Sequence, residues 1–86
     1  MPEISRFYGI VVRMYFDDHA PPHFHAFYGE DSVVIDIQLL AVIAGNFPPR
    51  AFGLVMEWAA LHRRELLTAW EKAAHSELPG RIEPLP

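Results

Sequence analysis

Hydrophobic and polar residues alternate along the first half of the chain, whereas apolar residues recur at helical spacing in the second half. The change falls near Gly45. Alternation with period two is typical of strands, and a period of about 3.6 among Ala, Leu, Glu and Arg is typical of a helix. The pattern therefore predicts an α+β fold, with three or four antiparallel strands followed by one long C-terminal helix packed on one face of the sheet.

The β-forming part of the chain, residues 1–45, divides into three strands at 7–16, 23–28 and 32–37, and residues 39–44 could add a short fourth. The Pro21-Pro22 pair predicts a stiff loop before the second strand, because proline fixes φ and cannot donate a ladder hydrogen bond. For the second strand either face could point inward, and burial of the larger apolar area favours one choice of inward side chains. They are Ile10, Val12, Met14, Phe16, Phe24, Ala26, Tyr28, Val33, Ile35 and Ile37.

The second half predicts a helix over 46–76, capped by Asn46, and an extended proline-rich tail over 77–86, all within a single domain of residues 1–86. Such a helix is about 40 Å long at ~1.5 Å per residue, against ~20 Å for a six-residue strand. Its C-terminal half, which carries Trp70, is therefore expected to overhang the sheet or to pack on a partner. His62 lies on the apolar stripe, and either a neutral, hydrogen-bonded core histidine or a ligand fits that place.

Composition narrows the function classes. The chain has no cysteine, so a metal site must use histidine and carboxylate ligands. A formal net charge of -4 argues against binding nucleic acid by charge attraction. No apolar run is long enough for a membrane span, and residues 1–16 do not resemble a secretory leader, so we expect a cytoplasmic protein with no membrane partner.

A histidine cluster is the strongest chemical signal in the sequence. His23 and His25 point to one side of a strand with Cα atoms ~6.5–7 Å apart. His19 on the preceding loop could be a third ligand, with Asp17 or Asp18 as the carboxylate. Such a set suits zinc, nickel or copper(II). Two other interpretations stay open: a plain solvated surface, and an acid/base or anion-binding site made of the same residues.

The outward face of the predicted sheet also carries other candidate groups. They are Arg13, Tyr15 and Asp36, together with the apolar residues Val11, Phe27 and Val34. Arg13, Tyr15, His23 and His25 are the candidate catalytic residues of a small metal- or histidine-dependent, nuclease-like enzyme. Hydrolysis by a nucleophilic triad is not expected, because the chain has no nucleophile elbow, and there is no glycine-rich phosphate loop. A binding or regulatory role is favoured over the nuclease-like alternative, because the acidic net charge counts against a nuclease.

Three segments of the chain, ISRFYGI, DHAPPHFHA and EWAALHRRELLTAWE, resemble the small bacterial family known as domain of unknown function 4160. The resemblance runs from Met1 to about Glu71. It implies a small standalone bacterial protein, often encoded beside a protein of the domain of unknown function 2442 family in a toxin-antitoxin-like or regulatory pair, and it supplies no established activity. The recurrent positions that match are Arg6, Tyr8, Gly9, Asp18, His19, Pro21, Pro22, His23, His25, Trp58, His62 and Trp70.

Two features predict that the chain does not act as a monomer. Val11, Phe27 and Val34 would leave an apolar patch on an uncovered sheet face, and Trp70 would project from the helix overhang. Exposed apolar patches often mark interaction surfaces. A homodimer, or a complex with the protein encoded nearby, is therefore expected.

Overall fold

The computed structural model describes residues 2–86, which form one antiparallel sheet and two helices. The strands are β1 (Glu3–Phe7), β2 (Ile10–Arg13), β3 (His23–Tyr28), β4 (Asp31–Asp36) and β5 (Ala41–Asn46), and they lie side by side in chain order. The helices are α1 (Pro49–Leu61) and α2 (Arg63–Ala74). The α+β prediction is confirmed, but the sheet has five strands instead of three or four, and the helix is divided.

The extra strand comes from the N-terminus. The predicted strand over 7–16 is wrong, because the chain reverses at Tyr8 and Gly9, which have φ values of 50° and 81°. Two successive positive φ angles are typical of a tight hairpin turn, and Phe7 pairs with Ile10 across it. Glycine is common in such a turn, but tyrosine is not, so the sequence pattern predicted one continuous strand instead of two strands joined by a turn.

The inward face of the sheet follows the predicted alternation. Ile10, Val12 and Met14 are fully buried. So are Phe24, Ala26, Val33, Ile35 and Ile37, at 1% exposure or less. Two predicted inward residues are exposed instead: Phe16 lies beyond the end of β2, and Tyr28 is the last residue of β3. Alternation therefore holds within the strands and fails where they end.

Trp58 joins the first helix to the sheet. Its buried indole lies 5.4 Å from the ring of Phe7 and 5.7 Å from that of Phe24. The helix begins at Pro49 with Pro48 as its N-cap, and no side chain caps it. Asn46, the predicted cap, is instead the last residue of β5.

The helical stretch is broken at a single residue, His62, whose φ and ψ are -119° and 23°. A straight helix from Pro49 to Ala74 would measure about 39 Å at ~1.5 Å per residue, whereas the longest extent of the chain is 33 Å. The prediction of an overhanging helix is therefore wrong. Trp70 is 7% exposed and packs 5.0 Å from the His23 ring, so it belongs to the core of its own chain. No helix within residues 2–86 has the length and apolar character needed to span a bilayer.

The tail over residues 77–86 has no helix or strand, and it lies back against the domain. Ile82 and Leu85 are buried in the core. The Ile82 N–H donates to the Ile4 carbonyl at 2.7 Å, and the indole N–H of Trp58 donates to the Glu83 carbonyl at 2.8 Å. The tail therefore ties β1 to α1.

Gly45 provides a test of this fold. It has φ 79°, and a Cβ there would lie 2.3 Å from the Ser32 carbonyl oxygen on β4. Gly45→Ala should therefore lower the free energy of unfolding by at least about 1–2 kcal/mol, the cost of a left-handed conformation for an L-residue. Gly53→Ala is the matched control, since nothing lies near a Cβ there and alanine gains about 1 kcal/mol over glycine within a helix. Urea denaturation of both variants measures the effect, and equal stabilities would contradict this account of β5.

Candidate metal centre

The histidine segment enters the sheet at the start of β3, and there the structure gathers three possible metal ligands. They are one carboxylate oxygen of Asp18 and one ring nitrogen each of His23 and His25, all within 4.8 Å of one another. The strand period places both imidazoles on the same side of β3. Two of the three predicted histidines and one of the two predicted aspartates therefore come together.

The loop that carries Asp18 is fixed at both ends. On one side the Asp17 N–H donates to the Ala73 carbonyl of α2 at 3.3 Å, and on the other the Ile37 N–H donates to the Pro22 carbonyl at 2.9 Å. The Ala20–Pro21 peptide bond is cis. The Asp18 Oδ1 atom accepts from the His19 backbone N–H at 2.9 Å, while its Oδ2 atom faces the imidazoles. The carboxylate is thus oriented by its own loop.

His23 is held in one orientation. Its Nδ1 atom lies 2.7 Å from the Pro21 carbonyl oxygen, and its Nε2 atom lies 2.9 Å from Asp18 Oδ2. Because a carbonyl oxygen only accepts, Nδ1 carries the hydrogen of that bond, which leaves Nε2 for Asp18. The indole of Trp70 covers the ring, and the side chain is only 10% exposed. A backbone carbonyl on one ring nitrogen is a common arrangement for histidines that bind metals through the other nitrogen.

His25 completes the group from a more open position. Its Nε2 atom lies 3.5 Å from the same Asp18 oxygen, and 24% of its side chain is exposed. The ring of Tyr15 meets it edge-on at 4.5 Å. Burial lowers the pKa of His25 below its usual value, against the opposite effect of Asp18. A lowered pKa favours the neutral imidazole, which is the form that coordinates metals.

Asp18 remains ionised beside these rings. Burial raises the pKa of its carboxyl, but hydrogen bonds from the His19 N–H, His23 and His25 outweigh burial, so the pKa lies below its usual value. The site therefore combines one carboxylate with two imidazoles. Such oxygen and nitrogen ligands suit zinc, nickel or copper(II).

Several predicted site residues lie outside this group. His19 is exposed, and its ring is not among the gathered ligand atoms. Asp17 accepts a hydrogen bond from the Ser76 hydroxyl instead. Asp36 is buried and accepts from the Leu39 N–H at 2.8 Å, and the guanidinium of Arg13 lies over the Phe27 ring at 5.3 Å. None of these four residues contributes an atom to the gathered ligand set.

His62 is placed apart from the cluster. Its Nδ1 donates to Glu65 Oε1 at 2.6 Å, and its ring lies 5.7 Å from that of Trp58. The hydrogen bond agrees with the core interpretation, but the residue is only half-buried and lies between α1 and α2 rather than in the middle of one helix.

Trp70 is the residue of the site that the sequence did not reveal. Its indole lies 5.0 Å from the His23 ring and belongs to α2, the helix that begins after the break at His62. Neither glycine nor proline marks the bend, and the apolar stripe runs through it without interruption. No sequence signal could have found this contact.

Comparison with known proteins gives one match. The family model described as Domain of unknown function (DUF4160) matches residues 9–71, more than half of the chain and including the whole histidine segment. No curated protein and no solved structure was found to match the chain.

Proposed function

Since the chain belongs to the family Domain of unknown function (DUF4160), whose description names no activity, we propose a function from its site. The protein is a small binding or regulatory protein that holds one divalent transition-metal ion through Asp18, His23 and His25. Zinc, nickel and copper(II) are the ions that this mixture of imidazole and carboxylate ligands suits.

One observation carries the metal proposal. The Asp18 carboxylate faces the Nε2 atom of His23 across 2.9 Å, while the other nitrogen of that ring is committed to a carbonyl. An ionised carboxylate and an unprotonated nitrogen both only accept hydrogen bonds, so a cation is needed between them: either a proton on the imidazole or a metal ion. Ligand atoms around tetrahedral zinc lie about 3.3 Å apart, as follows from bonds of ~2.0–2.1 Å. The contacts of 2.9 and 3.5 Å to the Asp18 oxygen bracket that spacing.

Three protein ligands would leave one coordination position open. Closed structural zinc sites use four protein ligands, whereas sites with three bind a water or an incoming group at the fourth. Asp18 and His25 are each 24% exposed, which gives an incoming group access. A side chain of a partner protein or a water molecule could fill the position.

The sheet face beside the metal site is proposed to bind a partner chain. The sheet face around the site bears Val11, Phe27 and Val34, which remain half-buried. This face suits contact with another chain: a protein of the domain of unknown function 2442 family encoded nearby, or a second copy. We propose a cytoplasmic toxin-antitoxin-like or regulatory pair, in which the metal site stabilises or adjusts that contact.

A second candidate is a small metal-dependent enzyme of nuclease type. The open coordination position favours it, together with the closeness of Tyr15 to His25 and the pairing of Arg13 directly opposite His25 across β2 and β3. The two candidates differ in one measurable way: the enzyme turns over a substrate, and the binding protein does not.

Elemental analysis of protein purified without a histidine tag tests the proposal. We expect about one zinc, nickel or copper ion per chain, with the mass in solution recorded on the same sample. The proposal would be overturned by a metal content that remains negligible after incubation with each ion at neutral pH.

The affinity for metal should depend on pH. Protons compete with the ion for the imidazoles, so zinc affinity should be greatest near pH 7–8 and fall as the pH drops through the imidazole range around ~6.5 and below. The lowered pKa of His25 shifts the fall toward lower pH, because that ring stays neutral for longer. Calorimetric titration across this range measures the effect, and affinity independent of pH would speak against histidine ligands.

A further inference from the structure

The two edges of the sheet are treated differently. β1 is covered by the tail, since the Ile82 N–H donates to the Ile4 carbonyl. It is also charged: Glu3 accepts hydrogen bonds from Arg6 at 2.7 Å and Arg81 at 2.9 Å, which lower the pKa of Glu3 to about 2. Covering segments and charged side chains are two usual means by which proteins prevent edge strands from pairing with other chains.

β5, at the other edge, has neither protection. It pairs with β4 on one side, and no strand within residues 2–86 pairs with its outer side. Every residue of β5 is exposed, and Val42 and Ile43 are each 48% exposed. The sequence from Ile37 to Pro49 contains no charged residue. A bulge opposite Val34 and Ile35 makes the strand irregular, but it does not cover the edge.

An open edge presents backbone N–H and C=O groups at alternate residues, and a β-strand of another chain can pair with them. We propose that β5 pairs antiparallel with β5 of a second copy of this chain, joining two five-stranded sheets into one continuous sheet. This inference deepens the proposed binding role but does not depend on the metal.

Charge and symmetry favour a second copy over a strand of another protein. Antiparallel pairing about a two-fold axis presents one edge to itself, so a strand that pairs with its own copy needs no other complement. Two copies of a chain with net charge -4 repel each other in general, but the uncharged β5 brings no like charges together. The exposed Val42 and Ile43 side chains of each copy would become neighbours across the new pair, where apolar cross-strand contacts stabilise sheets.

Sedimentation velocity of the tag-free protein at micromolar concentration tests the proposal. We expect a species of two 9.8 kDa chains, which the double variant V42K/I43K converts to monomer. Both replaced side chains are exposed, so the fold should persist. The matched control is L61K/L78K, which replaces two exposed leucines away from β5 and should leave the dimer intact.

The outcomes separate this proposal from the metal proposal. A wild-type monomer, or a dimer unaffected by V42K/I43K, would overturn the pairing of β5 with itself. A chain that is monomeric alone and uses β5 only to bind the neighbouring gene product would also overturn it, because the edge would then pair with a different protein. Metal content is measured on the same samples: V42K/I43K should keep the wild-type value, because the ligands lie on β3 and its preceding loop.

Discussion

Replacing both His23 and His25 with alanine should abolish the uptake of zinc, nickel and copper. The change removes two of the three gathered ligands and leaves Asp18 alone, and a single carboxylate does not hold these ions at neutral pH. The fold should survive. His23 packs against Trp70, so we expect a cost of about 1–3 kcal/mol for the lost hydrogen bonds and contacts, less than the total stability of ~5–15 kcal/mol typical of small proteins. Calorimetric titration with each ion, beside circular dichroism, measures both effects.

Two single variants serve as controls. His75 is exposed, donates to the Glu71 carbonyl and is not among the gathered ligands, so His75→Ala should bind metal as the wild type does. His19→Ala should also retain binding, because its ring lies outside the gathered ligands. Undiminished uptake by the His23 and His25 double variant would remove the metal assignment. A strong loss of metal binding in His19→Ala alone would show that His19 is a ligand after all.

Trp58→Ala should cause the largest loss of stability, about 3–5 kcal/mol, the usual cost of removing a large buried aromatic side chain. The indole is fully buried and contacts Phe7 of β1 and Phe24 of β3. Its N–H also holds the tail through the Glu83 carbonyl. One substitution therefore weakens the packing of the helix, the sheet and the tail together. Denaturant unfolding followed by circular dichroism measures the change.

Trp58→Phe separates packing from the hydrogen bond. It keeps most of the ring contacts but removes the N–H donor to Glu83, so a smaller loss is expected, together with faster amide exchange at Ile82 in the tail. An alanine variant within about 1 kcal/mol of the wild type would be incompatible with a core centred on Trp58, since surface substitutions fall in that range.

Alternation along the chain predicted the core-facing residues in the interiors of β2, β3 and β4, and it failed at strand ends, where Tyr28 is exposed and His23 and Asp36 are buried. Val12, Phe24 and Ile35 are buried where period two places them, because alternate residues of a strand lie on the same face of the sheet. The same pattern failed at Tyr8 and Gly9, since a tight turn depends on backbone angles that a tyrosine does not signal. The helical spacing of apolar residues likewise continues through His62, so it predicted one helix where the structure has two.

The candidate site was predictable in its strand part and not in its loop part. Strand geometry alone places His23 and His25 on one side. Which aspartate joins them depends on the direction of the loop backbone, which spacing does not determine: Asp17 has φ 53° and turns toward Ser76, while Asp18 turns toward the imidazoles. The predicted ligand His19 lies outside the gathered ligand atoms for the same reason. The contact of Trp70 with the His23 ring joins α2 to β3, and spacing along the chain does not predict it.

Nitrogen-15 NMR of the five histidine side chains during zinc titration tests the central claim most directly, because it reports each ring nitrogen separately. Before zinc is added, His23 should show a hydrogen on Nδ1, as its bond to Pro21 requires. With one equivalent of zinc, the Nε2 resonances of His23 and His25 should shift to the values of metal-bound imidazole, while those of His19, His62 and His75 stay in place. Unchanged spectra, or equal small shifts at all five rings, would contradict a metal site built from Asp18, His23 and His25.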